Sequence, residues 1–371
     1  MKIAVLVSGG VDSSVALRLL QQQGHDVTAF YLKIWLEDEL MYLGDHCPWE
    51  QDLAFVRAVC ESAGVPLEVV SLQKEYHEQV VNYTIAEVKA GRTPNPDMLC
   101  NQRIKFGLFF NALDSNTSIH YDKVATGHYA HVFESDGRFW LKQAPDAIKD
   151  QTYFLSQLSQ EQLSRALFPL GQLCKSEVRA LAYEFDLVNK ERKDSQGICF
   201  LGKLKFKDFV KHYLGESLGS MIEIETGKAV GTHAGAWFYT IGQRQGLGLA
   251  GGPWYVVAKD MKNNEIYLSR HYYAADKQRD AFAVGACNWI SYIPESGPIK
   301  LKMRHGPQVH DAQIELCENN ERAYVKLEHD DQGIAAGQFA VFYNNDGICI
   351  GGGVIENNRV IENNRVIEIR D

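Results

Sequence analysis

The chain has 371 residues, 45% apolar and 23% charged, with a formal net charge of −9, the balance of a globular protein of two or three domains. The acidic balance excludes a protein that coats nucleic acid through overall charge, and eight cysteines without a C-x-x-C exclude a zinc ribbon or thioredoxin-like motif. No run reaches membrane-spanning length, and the apolar run after Lys2 stops at Ser8-Gly9-Gly10, short of a secretion signal, so a cytoplasmic protein with no membrane partner is expected.

The first apolar run, Ile3-Ala-Val-Leu-Val7, leads into Ser8-Gly9-Gly10-Val11-Asp12-Ser13-Ser14, and helical spacing follows from Val15 until Gly24. That order predicts a strand, a tight loop and a helix. The two glycines let backbone approach a ligand, and Ser13, Ser14 and the helix's first N–H groups face one point, a corner suited to phosphate. A capped turn without a ligand is the plainer alternative. The spacing matches neither the Walker loop nor G-x-G-x-x-G. It resembles the PP-loop, Ser-Gly-Gly-x-Asp-Ser, of enzymes that split ATP between the α and β phosphates. This resemblance implies that Ser8, Gly9, Gly10, Ser13 and Ser14 hold pyrophosphate and that Asp12 helps place Mg2+.

Val27–Leu32 reads as a second buried strand, about Glu50–Ala63 as a helix closed by Gly64, Leu67–Leu72 as a third strand and about Glu75–Ala90 as a longer helix ending at Gly91. Alternation of this kind predicts an α/β fold, a doubly wound parallel sheet whose ligands sit beyond the carboxyl ends of the strands. In Arg92-Thr-Pro-Asn-Pro-Asp-Met-Leu-Cys100-Asn101, Pro94 and Pro96 hold Thr93 and Asn95 extended. Asp97 and Cys100 are then presented on a stiffened loop before a helix beginning near Gln102. Arg92, Arg103 and Lys105 flank the thiol, which predicts an unburied, reactive Cys100.

Tyr121–His128 reads as a strand ending at Gly127-His128, and a hairpin of His131-Val-Phe and Phe139-Trp-Leu-Lys leads to Lys149-Asp150-Gln151. His128 and His131 lack further nearby ligands and are not read as a metal site. Ser159, with Gln162 as a capping box, and Ser176 open two helical stretches. Between Lys190 and Lys207 six bases face two acids, with Cys199 among them. Such a stretch suits one structured nucleic acid and equally a solvated loop. Past Phe209 helical periodicity fades into short alternating runs such as Glu265-Ile-Tyr-Leu. The expected division is 1–208, 209–279 as a small central domain and 280–371 as a β-barrel-like domain. Gly246-Leu-Gly-Leu-Ala-Gly251 fits a dinucleotide motif, but Gly252-Pro253 follows where a helix must begin, so a turn is expected. The terminal repeat from Val354 is too short for a solenoid and reads as a strand continued past a turn or as a tail.

Several segments together resemble the tRNA-specific 2-thiouridylases, in family order: the Ser8–Ser14 loop, Gly91–Asp97, Leu99–Asn101, Ala125–Tyr129, Lys149–Phe154, Asp194–Phe200 and Tyr239–Arg244. They span the first two-thirds of the chain. The resemblance implies adenylation of C2–O of the wobble uridine by ATP, with Cys199 carrying persulfide sulfur from a sulfur-relay protein or cysteine desulfurase. Cys100 attacks that persulfide as sulfur passes to C2, leaving a Cys100–Cys199 disulfide to be reduced; a variant releases hydrosulfide first. Asp97 serves acid/base steps. Leu32 and Gly127 border the nucleotide, Asn95, Pro96 and Asp97 the flipped base, and His128, Lys149, Asp150, Gln151, Arg304, His305 and Gln338 the tRNA. Two positions depart from the family: Arg304-His305 stands where Arg-Tyr is common, and Leu32 where Met is common.

Two rivals follow from the same loop. Another PP-loop ligase or amidotransferase needs neither thiol, and a binding protein that keeps the fold predicts ligand binding without pyrophosphate release.

Overall fold

The chain first lays down β1 (Lys2–Leu6), β2 (Asp26–Lys33), β3 (Leu67–Ser71) and β4 (Lys123–Ala125), then the hairpin β5 (Ala130–Ser135) and β6 (Arg138–Gln143), then the short β7 (Ala166–Leu167). The structure is a computed structural model that describes residues 1–34, 48–115, 119–193, 205–274, 279–331 and 333–356, and the backbone of 359–362 and 365–368. β1 to β4 and β7 form one parallel sheet in the order β3-β2-β1-β4-β7. Strand alternation serves both faces. Ile3, Val5 and Val7 pack with Leu17 of α1 (Val11–Gln22) and Leu53 of α2 (Pro48–Ala63), whereas Ala4 and Leu6 pack with Phe30, Met98 and Phe109. Burial on both faces accounts for the unbroken apolar run of β1.

Two expected helix starts are corrected. The helix placed near Gln102 begins at Pro96, with Asn95 extended at its cap, and runs through a π-helical stretch, Cys100–Leu108, to Phe109–Ser115. Pro96 occupies the first helical position, where its missing N–H costs nothing. Cys100 therefore lies within the helix, not on the loop. The helix given to Ser176 is Lys175–Glu184, capped by Cys174, whose N–H donates to Glu177 Oε2 at 2.6 Å. The capping box at Ser159 forms as expected, with bonds of 3.1 and 3.0 Å to Gln162.

β8 (Gly219–Glu223), β9 (Lys228–His233), β10 (Tyr255–Asp260) and β11 (Glu265–Ser269) make a central sheet in the order β10-β11-β8-β9, and the Gly246–Gly251 segment carries no helix. β12 (Ala281–Trp289), β13 (Gly297–Lys302), β14 (His310–Leu316), β15 (Ala323–Leu327), β16 (Phe339–Tyr343) and β17 (Ile348–Ile355) close into a barrel through the β12–β17 pairing. Phe282, Leu301, Ile314, Val325 and Phe342 fill it. The hairpin β5–β6 extends the barrel sheet, Leu141 pairing with Cys349, so an early segment of the chain is built into its last domain. Within the terminal repeat, β18 (Arg359–Glu362) and β19 (Arg365–Glu368) pair antiparallel.

Candidate active site

The strand order reverses at β1, where β2 leaves to one side and β4 to the other, and an open parallel sheet forms its ligand crevice at such a point. Ser8 to Ser14 leaves the carboxyl end of β1 and enters α1; Gly127 leaves the end of β4 beside it. The two loops touch. A Cβ on Gly127 would fall 2.7 Å from Ser13 N and 2.9 Å from the Asp12 carbonyl carbon, so only glycine fits. Gly9 holds φ +77°, and a Cβ there would lie 2.7 Å from the Asp52 carbonyl oxygen. Ser13 Oγ accepts from Ser8 N–H at 3.2 Å, and the hydroxyls of Ser13 and Ser14 donate to Gly10 O at 3.1 and 3.0 Å. These bonds shape the loop around α1's unpaired N–H groups, a site for phosphate oxygens. Leu32 lies near the end of β2, partly buried on the neighbouring core.

Asp12 is not solitary. Its Oδ1 accepts from Lys175 Nζ at 2.6 Å and from the Tyr129 hydroxyl at 2.9 Å. As a Mg2+ site the donor set is one carboxylate: among the described residues no three His, Cys, Asp or Glu side chains converge. That set fits an ion which keeps most of its shell as water and phosphate oxygens.

The thiol segment departs from expectation. Cys100 is fully buried among Met98, Leu99, Ile104 and Phe106, because its helix already starts at Pro96 and turns it to the core. Each flanking cation has a further partner: Arg92 forks onto Glu87, Arg103 donates to Gln79 O at 2.9 Å, and Lys105 to Asn101 Oδ1 at 3.0 Å. Asp97 and Asn95 are half-buried, the latter bonded to the Tyr153 hydroxyl, while Pro96 is buried. Cys199 and Lys203 lie outside the described residues.

Several residues expected at the tRNA gather at the seam between the first domain and the barrel, and one is corrected. Asp150 is 1% exposed and pairs with Lys302, so it offers no surface for direct contact with RNA. Its neighbours Lys149 and Gln151 remain half-buried, Gln151 Oε1 accepting from Tyr129 N–H at 3.0 Å. Half-buried His128 meets the Thr126 hydroxyl at 2.7 Å; desolvation, with Lys105 nearby, holds its imidazole well below the ordinary range. His305 packs on Phe154 with ring centroids 4.7 Å apart, and Gln338 Nε2 donates to Thr93 O at 2.9 Å. Arg304 is exposed and pairs with Asp331. The basic stretch is partly neutralised, Lys190 pairing with Asp186 and Arg192 with Asp52.

Comparison with known proteins bears on this arrangement. Residues 1–203 match the tRNA methyl transferase HUP domain, 207–270 the tRNA methyl transferase PRC-barrel domain and 279–355 the aminomethyltransferase beta-barrel domain. Proteins named tRNA-specific 2-thiouridylase MnmA are similar over nearly the whole chain. The Parabacteroides distasonis protein is 45% identical, covering 96% of this chain and 99% of its own. The Porphyromonas gingivalis protein is 45% identical over 97% of this chain and 100% of its own. The chain belongs to the tRNA-specific 2-thiouridylase family. A solved 4-thiouridine synthetase–RNA complex with bound ATP is only distantly similar, at 18% identity and a TM-score of 0.35 over 55% of this chain and 46% of that one.

Within this 2-thiouridylase the loop has partners that sequence reading missed. Asn189 Nδ2 donates to Gly9 O at 2.9 Å and to Ser14 Oγ at 3.0 Å, and Arg192 Nη1 donates to Gly9 O at 3.0 Å. With Lys175 they place two cations beside the phosphate corner. No local spacing marks these residues, which lie more than 160 positions from the loop. The excess of bases after Lys190, which suits a structured nucleic acid and a solvated loop equally, is the one local signal, and it covers Arg192 alone.

Proposed function

We propose that this chain, whose relatives are named tRNA-specific 2-thiouridylases, catalyses ATP-dependent 2-thiolation of the wobble uridine of tRNA. The observation that carries the reading is the contact of Gly127 with the Asp12–Ser13 backbone at the reversal point of the sheet, which builds a phosphate corner in a chain of this family. Uridine C2–O attacks the α-phosphorus of ATP, the α–β bond breaks, and pyrophosphate leaves held by Ser8 to Ser14 with Lys175 and Arg192 nearby. Bound Mg2+ would neutralise phosphate charge there. Asp12, which also accepts from Lys175 and Tyr129, is the residue that would hold it.

Adenylation turns the C2 oxygen into a leaving group. The terminal sulfur of a Cys199 persulfide bonds to C2 and AMP departs; the Cys100 thiolate attacks Cys199 Sγ, the persulfide S–S bond breaks with its outer sulfur left on C2, and the Cys100–Cys199 disulfide that forms is reduced by a cellular dithiol. Asp97 manages the proton transfers beside the base. A sulfur-relay protein or cysteine desulfurase loads the persulfide. Because Cys100 is fully buried, its thiol must be uncovered during the cycle. We assign that opening to tRNA docking against the Arg92–Pro96 segment.

The test is mass spectrometry of nucleosides from undermodified tRNA incubated with the protein, ATP, Mg2+ and a persulfide donor, with Cys100→Ser and Cys199→Ser alongside. 2-Thiouridine formed only by the unaltered protein supports the reading. ATP cleavage with no sulfur in RNA supports the ligase alternative.

A further inference from the structure

An open cleft of about 620 Å3 lies where the three domains meet, within the range of sites for one small ligand, about 300–1,000 Å3. The first domain contributes Thr93 to its wall, the central domain Thr240 and Tyr273, and the barrel Arg304, Asp330 and Gln338. Bonds across the domains hold it open. Thr93 N–H donates to Ala336 O at 2.8 Å, Gln338 Nε2 to Thr93 O at 2.9 Å, and the hydroxyls of Thr93 and Thr240 stand 3.5 Å apart. The Tyr239–Arg244 motif, unused by the reaction above, supplies part of this wall.

The wall selects its ligand by shape and charge. Tyr255 and Tyr272 stack at 4.6 Å with an interplanar angle of 11°, and Tyr272 meets Tyr273 edge-on at 5.2 Å. Tyr273 remains 73% exposed. A ring braced by another ring and open to solvent is a stacking face that loses little freedom when covered. Asp331 is consumed: it is buried, pairs with Arg304, lies 3.4 Å from His310 Nε2 and accepts from Gly333 N–H at 2.6 Å. Asp330 beside it is exposed and has no ion pair among the described residues. A simple anion is disfavoured by that carboxylate. A planar ligand with N–H donors on its edge is favoured, and Arg304 suits an attached phosphodiester. The Arg304 guanidinium lies against Gly333, where a Cβ would fall 2.2 Å from Nη1.

We propose that this cleft seats an unpaired, amino-bearing nucleotide of the tRNA substrate, stacked on Tyr273 and donating to Asp330. Uridine has no exocyclic amino group, so the seated base is not the one that receives sulfur. The proposal rests on tRNA being the substrate, and it places part of substrate selection away from the reacting atoms.

The experiment measures retention of undermodified tRNA by the full-length protein in filter binding without turnover, with ATP affinity measured in parallel. Tyr273→Ala, at an exposed position, weakens tRNA binding about ten-fold; Tyr273→Phe, which keeps the ring, stays within about two-fold. Dimethyl sulfate and kethoxal probing then shows one A, C or G, outside the wobble position, protected by the unaltered protein and by Tyr273→Phe but reactive with Tyr273→Ala. Unchanged tRNA affinity in Tyr273→Ala overturns the proposal. So does loss of ATP affinity in its place, which assigns the cleft to a free nucleotide. Failure of the unaltered protein to retain tRNA overturns this proposal and the 2-thiolation reading together; retention that ignores Tyr273 overturns this one alone.

Discussion

Asp150 Oδ2 and Lys302 Nζ stand 2.9 Å apart with side chains 1% and 2% exposed, an ion pair sealed between the first domain and the barrel. Asp150 also accepts from the Thr152 hydroxyl at 2.9 Å and the Ala144 N–H at 3.2 Å, and Tyr343 reaches Thr152 at 3.1 Å. The pair sits between Lys149 and Gln151 on one side and directly precedes Met303-Arg304-His305 on the other. It thereby registers two segments that face the same seam. Removing one partner of a buried pair leaves the other charge uncompensated, at a cost of about 3–5 kcal/mol. Asp150→Ala should lose that much stability in a urea titration, and Asp150→Asn with Lys302→Met should recover most of it. A surface-like loss below about 1 kcal/mol would remove the pair from this role.

Gly127→Ala tests the crevice without touching a charged group. The added methyl would lie 2.7 Å from Ser13 N, so the loop must shift. ATP affinity measured by calorimetry should fall about ten-fold or more, because the N–H groups that face phosphate are displaced, with tRNA retention unchanged. Equal ATP affinity would separate Gly127 from the nucleotide.

Asp12 and Lys175 pair at 2.6 Å beside the loop proposed to hold the phosphates. Asp12→Asn, which keeps the shape but weakens any hold on Mg2+, should lower pyrophosphate release at least about 100-fold, and Lys175→Gln should lower it by a similar factor through lost charge stabilisation. Both variants should keep their tRNA affinity. Pyrophosphate release at the normal rate in Asp12→Asn would remove the ATP-cleaving assignment.

Cys100 is enclosed by Met98, Leu99 and Ile104, so a thiol reagent should reach it slowly in the protein alone. Alkylation followed by peptide mass spectrometry should show partly exposed Cys174 modified early and Cys100 late. Added tRNA, to whose docking the uncovering of this thiol is assigned, should accelerate Cys100 modification. Rapid modification without tRNA would contradict the burial.

Five histidines share one direction: desolvation lowers His128, His131, His233, His305 and His310 below the ordinary value of 6.5. Each is neutral when folded and takes up a proton on unfolding once pH drops below that value. The unfolded chain then binds more protons, so stability is full above about pH 7 and falls as pH drops from 6.5 toward the lowered folded values. Asp114 and Asp146, held below 3.8 by Arg165 and by backbone N–H groups respectively, add loss in the same direction only under about pH 4. Urea midpoints from pH 8 to pH 5 should show this decline, and His128→Gln should flatten it. Stability that rises on acidification would contradict the signs.

Local chemistry made much of this protein legible. The apolar run of β1, the paired glycines and the spacing of Ser8 to Ser14 specify a strand, a phosphate corner and a helix through residues adjacent in the chain. Periodicity marked the parallel sheet, and its fading marked the β-rich end. The start at Pro96 was misread because a proline that stiffens a loop and a proline that opens a helix look alike in sequence; packing of Met98 and Leu99 into the core decides between them. Only the tertiary structure brings Lys175, Asn189 and Arg192 to the loop, joins the β5–β6 hairpin to the barrel and turns Asp150 from a surface candidate into a buried partner of Lys302. Those relationships depend on Coulomb attraction and desolvation between groups far apart in the chain, and no periodicity or spacing records them.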